Sequence, residues 1–220
     1  MSPKVLGIDE AGRGSVLGPL VVGGFLTERD RLEELATLGV RDSKLLTPAR
    51  RETLFEALES IGKRLAIEIT PTQIDGAVAR GELNLLEARF FAKVVRMTDA
   101  REVFVDACDT RAARFGQRVK SLARTSARVV SRHHADRDLP IVSAASIVAK
   151  VCRDRSLARL RTDLGVECGS GYPSDVKTQA FVSRHLLVQN ERVPWLRHSW
   201  RTVERLKPHP PLRTLDSEWH

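Results

Sequence analysis

The chain is short of the residues that make chemistry easy to place. Of its 220 residues, three are cysteine, three are tryptophan and one is tyrosine. Cys108, Cys152 and Cys168 are odd in number and lack CxxC spacing. That argues against a disulfide framework or a cysteine zinc site and fits buried thiols in a reducing cytoplasm. No apolar run approaches the ~20 residues needed to span a bilayer. The first residues enter a strand pattern almost at once, so no signal peptide is expected. There is no linker, low-complexity segment or internal repeat before residue 100. No GxSxG elbow accompanies Ser15, which disfavours a serine hydrolase. Acids are the minority charge: 28 Asp and Glu against 36 Lys and Arg, a net charge of +8. This excess points toward a polyanionic partner, most simply nucleic acid. A chain of this length can bury a real core, as one domain or as one domain with an appendage.

What is present is organised around Lys4 to Leu20, KVLGIDEAGRGSVLGPL. Val5, Leu6 and Ile8 read as a short buried strand, and Asp9 and Glu10 set two carboxylates at its end. Neighbouring side chains of a strand point to opposite faces. The two acids share a site only if the strand ends, bulges or twists there. Gly7, Gly12, Gly14 and Gly18 give the backbone that freedom. Arg13, between Gly12 and Gly14, puts a cation beside bare N–H groups, a turn able to approach a phosphate or sugar closely. An acid pair followed by a glycine-flanked arginine suits metal ions meeting a phosphodiester. The plainer alternative is a solvated acid pair and an ordinary turn.

Further along, Leu20 to Leu26 reads as a hairpin partner of the first strand, and Arg29 to Leu38 as a helix. Thr47 and Pro48 are a good N-cap and first helical residue. Ser43 and Lys44, just before them, can hold a phosphate or merely start a helix. Arg64 to Ile69 alternates as a half-buried strand. Thr72 to Ala79 and Asn84 to Thr98 read as helices. Glu102 to Asp106 is a second apolar strand ending in an acid, and two parallel neighbours would bring Asp9 and Asp106 to one sheet edge. From Arg111 to Arg137 there are eight basic residues and one acid, Asp136. Val129 and Val130 suggest a strand there. Arg111, Arg114 and Arg118 share a helical face suited to phosphate contact or to simple solvation. His133 and His134 are read as surface residues. In Ile141 to Leu160, Ala144, Ala145, Ser146 and Ala149 make a small-residue face for close packing on a sheet. Ser143, Ile147, Lys150 and Asp154 recur at helical spacing, so Asp154 can simply pair with Lys150. Gly169 to Asp175 is a tight turn carrying Tyr172, and Asp175 to Leu187 reads as a helix. Trp195 and Trp200 are expected to anchor the chain's end on the core.

GIDEAGRGSVLGPLVVGG, residues 7–24, resembles the opening signature of ribonuclease HII, the type 2 ribonuclease H family. The DSK segment, VDAC, AASIVAKVCRDR, GYP and the archaeal-style VPWLRHSWRTV resemble later motifs in the family's order, over roughly 5–203. Ser15 departs from the pattern, because the family commonly has proline there. The resemblance implies a ribonuclease H-like α/β fold: a central mixed five-stranded sheet flanked by helices, the first strand in the middle, plus a helical C-terminal appendage. Residues 1–165 would be the catalytic domain, 166–207 a helical region completing the substrate site, and 208–220 a loose tail. The implied activity is hydrolysis of RNA in RNA–DNA hybrids and at ribonucleotides within duplex DNA. Asp9, Glu10, Asp106 and Asp154 would be catalytic and would bind two ions of Mg²⁺ or Mn²⁺, about 4 Å apart. Gly12, Arg13, Gly14, Ser43, Lys44 and Tyr172 would meet the substrate, and Arg111, Arg114 and Arg118 the nucleic-acid backbone. Residues 212–219 lack the aromatic pair that some relatives use on a sliding clamp, so that partner is not inferred. A cytoplasmic monomer is expected. The rivals are a non-catalytic nucleic-acid-binding module and another metal nuclease of the same fold.

Overall fold

The computed structural model describes residues 2–40, 46–188 and 193–206, except for the side chains of Leu187 and Val188. Ser43, Lys44 and the tail from Pro208 lie outside the described residues. Strands β1 (Lys4–Ala11) and β2 (Leu20–Glu28) form the expected hairpin. Helices α1 (Leu32–Leu38) and α2 (Pro48–Ala57) follow, and the Thr47 hydroxyl caps α2 by accepting from the Arg50 N–H at 3.2 Å. Strand β3 (Lys63–Ile69) leads to α3 (Pro71–Ala79), which Thr70 and Gln73 close with a capping box. Next come α4 (Leu83–Arg96), β4 (Glu102–Asp106), α5 (Ala112–Ala123) and β5 (Arg128–Arg132). The short α6 (Ala135–Asp138), the long α7 (Pro140–Leu164), α8 (Val176–Val188) and α9 (Arg201–Leu206) complete the chain.

The sheet order is β3-β2-β1-β4-β5. β1 is antiparallel to β2 and parallel to β4, with Ile8 beside Val105, so the expected mixed five-stranded sheet with β1 at its centre is what forms. Alternation along β1 divides its side chains between two cores. Leu6 and Ile8 pack with Phe91 of α4 and Phe115 of α5, whereas Val5 packs with Ile141 and Val142 of α7. The same alternation in β4 sends Val103 and Val105 to the α4–α5 side and Phe104 to the α7 side.

Helix α7 runs 25 residues across the sheet, and the sequence makes room for it. A Cβ on Gly7 would lie 2.1 Å from the Ile141 carbonyl oxygen, and one on Gly23 would lie 2.6 Å from the Ala149 nitrogen. Glycines on the sheet and the Ala144–Ala149 face on the helix therefore bring two backbones into contact. Gly7 serves this close approach and not a bend: β1 continues without a bulge through Asp9, Glu10 and Ala11, each paired to β2.

A third apolar cluster joins the glycine loop to the C-terminal helices. Val16, Leu17 and Leu157 pack with Phe181, Val182, Leu196 and Val203. Trp195 lies against Phe181, with ring centroids 5.1 Å apart, and Trp200 packs against both this cluster and the α4–α5 core. Arg197 is fully buried and donates to the Gly18 and Arg13 carbonyl oxygens at 3.1 and 3.0 Å. Among the described residues, no helix is long and apolar enough to cross a membrane, and the three cysteines are free.

The α7 contact predicts the effect of one methyl group. Gly7→Ala forces strand and helix backbones apart, at a cost of about 3 kcal/mol or more. Urea denaturation of the variant should show its midpoint falling accordingly; an unchanged midpoint would mean that α7 does not need this contact.

Candidate active site

The parallel register that sets Ile8 beside Val105 carries Asp9 alongside Asp106, where β4 ends and β1 runs two residues further. Both side chains belong to the α7 side of the sheet. Asp9 is 4% exposed and accepts a hydrogen bond from the Glu10 N–H at 2.8 Å. Asp106 accepts from the Ala135 N–H at 3.0 Å, which ties the β4 end to the start of α6. That helix supplies Asp136, also buried. Carboxylate oxygens of Asp9, Asp106 and Asp136 lie within 4.8 Å of one another. The Ser143 hydroxyl of α7 donates to the Asp136 carbonyl and holds α6 in place.

Helix α7 presents a polar row to this cluster. Ser146 hydrogen-bonds Asp9, and Lys150 lies close enough for its charge to favour the ionised Asp9. Lys150 also donates to Ser146. Burial still outweighs them and raises the Asp9 pKa to about 6, with the Asp106 charge adding to the rise.

Glu10 takes the other face of β1, as the pleat requires. It neighbours Glu87 of α4, yet stays close enough to Asp9 and Asp106 for their charges to act on it. Burial, then the charges of Asp9, Glu87 and Asp106, raise its pKa well above the usual carboxylate range. Its Oε2 is buried without a hydrogen-bond partner. Glu87 of α4 is fully buried, and its Oε1 accepts from Arg13 Nε at 2.8 Å. Arg13 also donates to Asn84 Oδ1 at 2.7 Å. The glycine-flanked arginine is thus tethered to α4 through these bonds, while its side chain keeps 39% of its surface exposed.

Asp154 does not join the acids. Its side chain is 42% exposed, 3.1 Å from Arg51 and 3.6 Å from Arg153. The row facing the sheet edge is Ser143, Ser146, Lys150 and Arg153, one residue out of step with the expected stripe through Ile147 and Asp154. Asp136 was the acid not anticipated. Its signal was its isolation, since it is the single acid among the bases of 111–137.

The other expected contacts divide. Tyr172 is 37% exposed, and its ring stacks on Arg153, with the guanidinium carbon 4.5 Å from the ring centroid. The Gly12 loop meets the Tyr172 turn directly, the Val16 N–H donating to the Gly171 carbonyl at 2.8 Å. Gly14 stands in open space, whereas Gly12 has a φ of 84° and leaves no room for a Cβ beside Arg153. Arg114 and Arg118 line one cavity of about 550 Å³ with Asn84 and Asp109. Arg111 is the residue before α5, and Arg114 is held by Asp109 at 2.6 Å.

Three close carboxylates with a fourth unsatisfied carboxylate oxygen nearby are hard oxygen donors, and they fit a divalent cation of the Mg²⁺ or Mn²⁺ kind. The ribonuclease HII family model matches residues 6–203. The chain belongs to the ribonuclease HII family. It is 45% identical to the ribonuclease HII of Cenarchaeum symbiosum over 92% of this chain and 98% of that one. The ribonuclease H2 structure from Pyrococcus horikoshii superposes with a TM-score of 0.85 at 38% identity, covering 93% of this chain and 97% of the other. The ribonuclease HII of Archaeoglobus fulgidus, solved as a complex with PCNA, gives 0.83 at 33% identity, covering 94% and 98%. Membership of ribonuclease HII makes the protein an endoribonuclease that acts on RNA–DNA hybrids.

Packed acids make stability depend on pH. The folded-state pKa of Asp9, about 6, lies above its ordinary 3.8. Its neutral form is therefore favoured in the fold: stability from this group is full below pH 3.8 and lost as pH rises through 6. Asp9→Asn should then be more stable than wild type at neutral pH in chelator, by up to about 3 kcal/mol. The gain should vanish near pH 4 and shrink when Mg²⁺ is added, because only wild type can use the ion. Denaturation midpoints at the two pH values, with and without Mg²⁺, check this.

Proposed function

We propose that the protein cuts the RNA strand of hybrids and the backbone at single ribonucleotides within duplex DNA, with Asp9, Glu10, Asp106 and Asp136 holding two divalent ions, Mg²⁺ or Mn²⁺. The observation that supports this most is the meeting of Asp9, Asp106 and Asp136 at one sheet edge in a protein of net charge +8. Without a cation these acids would repel a phosphodiester. When bound, the ions would activate the attacking water and stabilise the leaving 3′ oxygen, giving 3′-hydroxyl and 5′-phosphate ends.

The chain's own groups have separate tasks. The Ala135 N–H fixes Asp106, and Ser146 with Lys150 fixes Asp9. Arg13, bound to Glu87 and Asn84, braces the glycine loop, and its exposed part is left to meet the substrate. Gly14, open on its outer side, lets backbone approach the sugar where a Cβ would stand in the way. Tyr172 packs its exposed ring face on the ribose, beside the 2′-hydroxyl that distinguishes RNA from DNA. Arg118, with Arg111 and Arg114 near it, attracts the duplex backbone through the cavity shared with α4. Ser43 and Lys44 keep the phosphate role implied by the DSK resemblance. Asp154, paired with Arg51 and Arg153, is left out of the metal set.

A duplex DNA containing one ribonucleotide, incubated with and without Mg²⁺, tests the reading. Metal-dependent cleavage at the ribonucleotide is expected; binding without cleavage would favour a non-catalytic module. On that substrate Asp136→Asn should lose at least ~100-fold in kcat/KM, because a ligand matters no less than the groups around it. Asp154→Asn should lose less than about fivefold, in line with a partly exposed ion pair. The reverse order would restore Asp154 to the site. Separately, Arg118→Gln should flatten the slope of log affinity against log salt by about one. An unchanged slope would remove that arginine from the interface.

A further inference from the structure

Arg153 is 4% exposed, and its partners come from two loops far apart in the chain. Its NH2 group donates to Ser15 Oγ at 2.8 Å and to the Ser170 carbonyl at 2.9 Å. Its guanidinium lies under the Tyr172 ring. Ser15 is fully buried, with its hydroxyl 2.7 Å from both the Leu17 and the Gly171 carbonyl oxygens. One hydroxyl proton serves one of these at a time, and the lone pairs receive Arg153. The fit leaves no slack. A Cβ on Gly171, whose φ is 79°, would lie 2.9 Å from Ser15 Oγ, and one on Gly12 would lie 2.4 Å from Arg153 Nε. The glycine loop and the tyrosine turn are thus joined through one hydroxyl and one guanidinium.

A residue without the hydroxyl at position 15 could neither donate to Gly171 nor accept from Arg153, so these hydrogen bonds across the site depend on Ser15 itself.

We propose that Ser15 and Arg153 are positioning residues: they fix the spacing between the Tyr172 ring and the Gly12–Gly14 turn, and so set the preference for a lone ribose in duplex DNA over a continuous RNA strand. This rests on the reading of Tyr172 as the ribose contact. Neither residue touches the substrate. A continuous RNA strand offers a ribose in every register, so a loosened ring still finds one. A single ribose offers one register and suffers more from the loosening.

The test measures kcat and KM on a duplex with one ribonucleotide and on an all-RNA hybrid. The variants are Ser15→Ala, Arg153→Lys, Tyr172→Ala and the Ser15→Ala/Tyr172→Ala double. Ser15→Ala should lower the single-to-hybrid ratio of kcat/KM about five- to tenfold, the scale of one buried hydrogen bond. The loss should fall mainly in kcat, and the half-saturating Mg²⁺ concentration should stay the same, because the carboxylates are untouched. Arg153→Lys keeps the charge but loses the planar fork, and it should lower the ratio further. The double variant should match Tyr172→Ala alone, because Ser15 acts through the ring. Should Arg153→Lys fail to fold, Ser15→Ala and the double variant carry the test. If Tyr172→Ala lowers the ratio and Ser15→Ala does not, or if the two losses add in full, the positioning role is overturned while the Tyr172 reading stands. If Tyr172→Ala leaves the ratio unchanged, the Tyr172 reading fails and this proposal fails with it.

Discussion

Mutual repulsion among buried carboxylates is the constraint the rest of the molecule accommodates. Asp9, Asp106 and Asp136 are held within 4.8 Å, and no apolar packing gains from their charge. Two features keep them there. The parallel β1–β4 register fixes the first two acids at one edge. Backbone N–H groups and the Ser146–Lys150 row of α7 then offset part of the charge. The offset is incomplete, which is why burial still drives Asp9 and Glu10 toward their neutral forms. A site in this condition favours a cation and is poorly suited to any purely structural role.

Helix α7 connects fold to chemistry. Its small residues meet Gly7 and Gly23 of the sheet so closely that the helix cannot shift without breaking backbone contacts. Its position therefore fixes, in sequence, the bond to α6 through Ser143, the partners of Asp9, and Arg153 under Tyr172. One rigid element thus sets both the acids and the turn that carries Tyr172, as a pre-organised site requires. The C-terminal helices complete the arrangement from behind, with Arg197 holding the backbone of the glycine loop.

Much of this was readable in the chain. Apolar runs ending in Asp9 and Asp106 announced two strands and their shared edge, and the small residues of Ala144–Ala149 announced the close helix–sheet contact. Helical spacing alone admits two neighbouring stripes on α7, so it does not show that Asp154 lies apart from Asp9, Asp106 and Asp136. Choosing between Asp154 and Arg153 requires knowing which side of α7 meets the sheet, and only tertiary packing says so. Asp136 is not legible in the sequence, because its four-residue helix has no periodicity to read and its meeting with Asp9 depends on residues more than a hundred positions apart. The tether of Arg13 was not legible because its partner, Glu87, lies 74 residues away, inside a helix whose core face is otherwise apolar.

The central claim is that the sheet-edge acids, with Asp136 and without Asp154, form a divalent-cation site. Anomalous diffraction from crystals soaked in Mn²⁺ tests it most directly, because the signal places the ion without reference to activity. The account predicts density bounded by the carboxylates of Asp9, Asp106 and Asp136 and none at Asp154. Density coordinated by Asp154, or crystals that take up Mn²⁺ elsewhere and leave the sheet edge empty, would contradict it.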